Sequence, residues 1–242
     1  MALSSVLDIV TRACDELGLA RPGTAGVSGS SLPQDITMLG LVNAAGIDLA
    51  AAHDWSTLIA TAAITTATAS STYSLPTDFD RVISSTGWDR TEGEGLTGSI
   101  SPQRHQFWLS SLTVSPTTHT EFRLFLNNAG GSVYLHPAPT SAVSLSFLYV
   151  SKNWATDSAG NNAADYISND TDLTRFSPRL MVKELKWRFR AAKGLDATGL
   201  KIECDLLREL LISRDIGSGA LDMTGMVDEE YLNVPDGNWA LT

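Results

Sequence analysis

The stretch Ser177-Pro-Arg-Leu-Met-Val-Lys-Glu-Leu-Lys-Trp-Arg-Phe-Arg-Ala-Ala-Lys193 decides how this chain is built. Ser177 suits a helix N-cap and Pro178 its first turn, where a missing N–H is no loss, so a helix is predicted to start here. On a wheel of about 100° per residue, Arg179, Lys183, Lys186, Arg190 and Lys193 fall within an arc of about 80° and form a basic stripe. Met181, Val182, Leu185, Phe189 and Ala192 flank it, while Leu180, Trp187 and Ala191 make a separate apolar strip on the far side. Two apolar strips need two partners. One is the domain's own core. The other is either another part of this chain or a second subunit, and the subunit-interface reading is preferred for Leu180, Trp187 and Ala191. The basic stripe then lies along a subunit seam or a cavity, or it is a solvated face whose cations pair with nearby acids.

Charge is polarised along the 242 residues. The formal net charge is −10, yet residues 175–193 hold seven of the 17 basic residues and one acid, Glu184, so this segment is +6 and the remainder −16. Bulk attraction does not carry such a protein to DNA, and any contact with nucleic acid falls to the local stripe. The two cysteines, Cys14 and Cys204, both sit in helical patterns and read as buried thiols. No leader pattern and no apolar run of 18 residues is visible, so the expectation is a soluble, unexported protein that does not engage a membrane.

Outward from the central stretch, the chain reads as two helices, an inserted β module, two helices and an acidic end. Leu3, Val6, Leu7, Val10, Cys14 and Leu17 predict a helix over 3–17 that Gly18 ends. Residues 21–31 read as a linker loop. Pro33 opens a second helix to about Trp55, with Ile36, Leu39, Val42, Gly46, Ile47 and Leu49 on one face; Asn43 within it needs a hydrogen bond, and His53 reads as a core histidine. From Ser56 to Trp154 the composition turns to Thr, Val and aromatics, with strands over 121–126, 133–135 and 143–150 arranged as a meander. Asn127-Asn-Ala-Gly-Gly131 is a hairpin loop, and Ser101-Pro102 starts a short helix to about Ser111 anchored by Phe107 and Trp108. A last helix starts at Asp196-Ala-Thr and ends near Gly217, with Ile202, Leu206, Leu207, Leu210 and Leu211 inward. The fold class is therefore α+β: a four-helix body (1–55 and 177–216), an inserted antiparallel β module (56–154) between the second and third helices, a connecting loop (155–176) and an extended C-terminal tail (217–242).

Chemistry finds little to stand on. Gly93-Glu-Gly95-Leu-Thr-Gly98 matches a dinucleotide fingerprint formally, but the βαβ context is missing and a turn-forming loop is the better reading. Asp170 and Asp172, with Asp165 and Asn169 nearby, lack the glycine and closing glutamate of a calcium loop and read as a hydrogen-bonded polar loop. Cys204 lies in a leucine-rich helix and the four histidines are scattered singly. No catalytic, cofactor or metal residue is nominated, and the expectation is not an enzyme.

Trp55, Tyr73-Ser-Leu-Pro-Thr-Asp-Phe-Asp-Arg81, Gln106-Phe-Trp108, Asp170-Thr-Asp172 and Leu185-Lys-Trp-Arg-Phe-Arg-Ala-Ala-Lys-Gly-Leu-Asp196, taken in order, resemble the head-to-tail connector or adaptor proteins of tailed bacteriophages, including the tail tubular protein A type. The resemblance covers most of the chain. It implies a structural ring of twelve copies in the virion at the head–tail junction, assembled in the host cytoplasm, with portal protein on one side, the tail nozzle or next tail component on the other, and double-stranded DNA passing through without sequence specificity. On that reading Met226, Tyr231, Trp239 and Leu241 are portal-binding residues of the tail, Leu96, Phe107, Trp108, Leu124 and Tyr134 face the downstream component, and Arg179, Lys183, Lys186, Arg190 and Lys193 line the DNA channel or pair with acids across a subunit seam. The alternative is a nucleic-acid-binding module that uses the basic helix 177–193.

Overall fold

The computed structural model describes residues 4–83, 86–91, 94–95, 123–127, 132–136 and 141–216. Helix α1, Val6–Leu17, starts where the Ser5 hydroxyl accepts the Asp8 N–H at 3.2 Å and stops at Gly18, whose φ of 68° suits a residue without a Cβ. Helix α2, Pro33–Ala52, opens on a proline at its first position. Helix α3, Pro178–Ala192, has Ser177 at its N-cap, although that hydroxyl makes no capping bond. Gly194, with φ of 70°, turns the chain so that the Leu195 N–H returns to the Arg190 carbonyl at 2.9 Å. Helix α4, Thr198–Ile216, follows, with the Asp196 carboxylate accepting the Thr198 N–H. Among the described residues the fold is thus four helices with antiparallel sheets, a mixed α+β architecture.

Helix α3 is the hub, packed against α1, α2 and α4. One core gathers Ile9, Val10 and Cys14 of α1, Met38, Val42 and Leu49 of α2, and Leu180, Met181 and Leu185 of α3. Helix α2 is apolar enough in length and mean hydropathy to pass for a membrane span, but so is a core helix. Its expected inward face is split: Val42, Gly46 and Leu49 are buried, whereas Ile36 and Ile47 are more than half exposed. Trp154 explains the glycine, since a Cβ at Gly46 would lie 2.3 Å from its ring. That ring is fully buried, donates from Nε1 to the Asp165 carbonyl at 2.7 Å and stacks on Phe176.

Strands β1 (Ser4–Ser5), β10 (Ala155–Thr156), β11 (Ala163–Ala164) and β12 (Leu173–Thr174) form a small sheet in the order β1-β12-β10-β11, so the connecting segment is tied to the chain's beginning by backbone pairing. The other strands correct the expected meander. β9, Ser144–Ser151, pairs along one edge with β2 (Ile59–Thr65, register Ile59 with Val150 through Thr65 with Ser144) and along the other with β4 (Phe79–Val82) and β5 (Trp88–Asp89). β6, Glu94–Gly95, extends β5. The hairpin of β7 (Arg123–Asn127) and β8 (Ser132–His136) leaves β9 and pairs instead with β3 (Thr72–Ser74). The physical reason lies in β9, which is buried at six of its eight residues and so needs partners on both edges and cover on both faces. Val133 and Leu135 of β8 share a core with Leu145, Phe147 and Tyr149 of β9, while Val150 joins the helical core, so β9 runs from one core into the other.

Candidate assembly surfaces

The apolar strip of α3 finds its partner inside the chain. Leu180 is fully buried and Trp187 is half-buried, with its Nε1 donating to Glu184 at 2.9 Å and the Lys201 ammonium of α4 5.7 Å from its ring. Leu207 and Leu211 of α4 pack on the same core. Of the expected subunit-interface trio only Ala191 is exposed. The strip is therefore covered largely by α4, which corrects the preference for a second subunit at Leu180 and Trp187: the short turn at 193–197 brings α4 back along α3 before any neighbour is needed.

The basic stripe is likewise engaged. Lys183 reaches Glu203 of α4 at 2.7 Å and Lys186 reaches Glu16 of α1 at 2.6 Å, each lysine side chain less than one-fifth exposed. Arg190 is half-buried, and Arg179 and Lys193 are exposed, the Lys193 ammonium 5.5 Å from the Phe189 ring. Glu184, fully buried on the opposite side, accepts from Arg208 of α4, from Arg188 at 3.0 Å and from Trp187; Arg188 also meets Asp48 of α2 at 2.8 Å. Burial pushes the Glu184 carboxyl up, but the two guanidinium groups outweigh it and hold its pKa below the ordinary value. Next to it, burial and then the Glu184 charge push the Cys204 thiol up to about 12, so this cysteine is an inert core group. Cys14 is also a free, buried thiol.

An uncovered apolar face lies on α4. Cys204 is buried and Leu207 and Leu211 turn inward, but Ile202, Leu206 and Leu210 are 56%, 62% and 45% exposed. Their spacing of four places them in one ladder along the outer face of the helix, with Leu195 exposed ahead of it. The expectation that all five apolar residues point inward merged two ladders, 202-206-210 and 207-211, of which the core takes only the second. Helix α2 shows a second outward apolar face through Leu32, Ile36 and Ile47.

Two of the segments that carried the resemblance, 73–81 and 170–172, hold structural clamps. Asp78 accepts the Tyr149 hydroxyl at 2.9 Å and the Ser151 hydroxyl at 2.7 Å, and burial together with that carboxylate raises the Tyr149 pKa to about 12. Arg81 donates to the Ala50 and His53 carbonyls and to Asp54, closing the end of α2 against β4. Asp170 accepts the Val27 and Ser28 N–H groups, both at 2.9 Å, where Gly26 has φ of 69° and a Cβ would collide with the carboxylate. Asp172 accepts the Ser168 and Asn169 N–H groups, and Asn43 bonds Ile167 through both N–H and carbonyl. His53 lies 3.4 Å from Asp215, edge-on to Trp55. Among the described residues no three His, Cys, Asp or Glu side chains gather as a metal site.

Leu124 lies on β7 and Tyr134 on β8, where it pairs with Phe125 and Thr72. Leu96, Phe107, Trp108, Met226, Tyr231, Trp239, Leu241 and the expected helix 103–111 lie outside the described residues. The outer ladder of α4 is what sequence reasoning missed.

The described residues thus form a body tied together by its own ion pairs that leaves apolar helix faces outward. The sequence model of the SU10 adaptor protein family matches residues 4–199, and the chain belongs to that family, a family of phage head–tail adaptors. Comparison with curated proteins finds no matching relative. The chain is accordingly a structural adaptor of a bacteriophage virion at the head–tail region, of a family that is typically non-enzymatic.

Proposed function

We propose that copies of this chain close into a ring, twelve as the resemblance implies, that joins the portal to the tail and surrounds the DNA channel. Ile202, Leu206 and Leu210 form the seam, residues 217–242 engage the portal through Met226, Tyr231, Trp239 and Leu241, and the β module meets the next tail component through Leu96, Phe107, Trp108, Leu124 and Tyr134. The exposed ladder on α4 carries this reading: it is apolar surface that the subunit leaves in water although its inner ladder is packed. Two unlike apolar faces, on α4 and on α2, suit a head-to-tail contact, which gives a ring where the rotation between copies closes.

The nucleic-acid-binding reading has less support, because Lys183 and Lys186 are taken by Glu203 and Glu16 of the same chain. Arg179 and Lys193 remain exposed and are the stripe residues proposed to approach DNA passing through the channel. Electron microscopy of the purified chain mixed with portal, with and without residues 218–242, tests the reading. A ring on the portal that disappears with the deletion is expected. Portal particles left bare by the full-length chain would sink it.

A further inference from the structure

Between the end of α4 and the start of α3 lies a cavity of about 140 Å³, walled by Trp55, Arg175, Phe176, Leu180, Leu211 and Arg214. Its walls are mainly aromatic and aliphatic, and an apolar cavity of about 150 Å³ holds one benzene ring. Two guanidinium groups stand at it without an acidic partner among the described residues: Arg175, whose contact is the Thr57 carbonyl at 3.5 Å, and the exposed Arg214. The acid in the wall, Asp215, is occupied, since it accepts the Ser56 N–H at 2.8 Å and the Ser56 hydroxyl at 2.5 Å and faces His53. The open charge at the cavity is therefore positive, in a chain of net charge −10.

The occupant that fits is an aromatic ring preceded by carboxylates. Residues 217–242 follow directly on Ile216, next to the cavity wall, and carry five acids and no base; within them Asp228-Glu229-Glu230 precedes Tyr231. The roughly 15 residues from Ile216 to Tyr231 span up to about 50 Å, enough for the chain to return to its own wall. We propose that this cavity seats Tyr231 of the same chain, with the carboxylates of residues 228–230 on Arg175 and Arg214. The seat goes beyond the portal reading: it gives the acidic segment a place on its own subunit, from which a portal has to take it.

The test needs no portal. Cleavage of the Glu230–Tyr231 bond by a glutamate-specific protease is followed by mass spectrometry on the full-length chain, on Tyr231→Ala, and on the double variant Arg175→Gln, Arg214→Gln. The wild-type bond is expected to be cut about tenfold more slowly than in either variant, because protection follows the population of the seated state. The difference shrinks as salt is raised, since the arginine contacts are exposed to screening. Equal rates for wild type and Tyr231→Ala overturn the proposal, and that comparison does not involve the arginine variant or its stability. Protection that rises with protein concentration transfers the seat to a second copy and overturns the same-chain assignment.

Discussion

Replacing Ile202, Leu206 and Leu210 by serine strips the outer ladder from α4 and leaves the inner ladder, Leu207 and Leu211, in place. The three side chains are 56%, 62% and 45% exposed, so about half of the apolar surface of each is still in contact with water. Complete burial of an Ile or Leu contributes about 1.5–3 kcal/mol, which leaves about 1 kcal/mol per residue for a partner to gain. Three residues give about 3 kcal/mol per seam, or about 150-fold in the association constant. The halves already covered contribute about 1 kcal/mol each to the subunit, and serine lowers helix propensity by a few tenths of a kcal/mol per site, so the isolated subunit loses about 3 kcal/mol and its Tm falls by about 6–12 °C without unfolding at assay temperature. Incorporation of the variant into particles is scored by complementation, beside a thermal melt of the purified chain. The expected outcome is a folded subunit that fails to assemble. Wild-type incorporation would remove α4 from the seam, and a collapse of the melt would show that the ladder belongs to the subunit's own core.

Two further perturbations probe the body that holds α4 in place. Glu184→Gln removes the buried negative charge shared by Arg208, Arg188 and the Trp187 indole, and breaking a buried pair from one side costs about 3 kcal/mol, or about 6–12 °C in Tm. Because the folded pKa of Glu184 lies below its ordinary value, its contribution is present above the unfolded pKa and lost as pH falls through the folded one; the variant therefore shows a flatter acid limb in pH-dependent melts, and parallel limbs would refute the assignment. Gly46→Ala gains about 1 kcal/mol of helix propensity but forces a Cβ to within 2.3 Å of a Trp154 ring pinned by Asp165 and Phe176, an overpacking of about 1–3 kcal/mol. A net loss in denaturant midpoint is expected, and a gain would show that the ring yields.

The sequence by itself determined the elements that local chemistry controls. Gly18 and Gly194 end helices because left-handed backbone suits them, Pro33 and Pro178 open helices because their missing N–H falls in the first turn, and Asn43 finds the bond its amide demanded. The alternation in 123–127, 132–136 and 144–151 marks strands, but not which strands pair. That pairing, the four short strands tying residues 4–5 to 155–174, and the choice of Gly46 as the seat of Trp154 were decided by tertiary structure, because they depend on contacts between residues distant in sequence. The same holds for the assembly surface. Periodicity shows that α3 and α4 each carry more apolar surface than one core needs, yet it is silent on which strip meets which. The fold resolved it by laying α4 over Leu180 and Trp187 and pairing Lys183 with Glu203, so the surplus passed from the third helix to the outer ladder of the fourth.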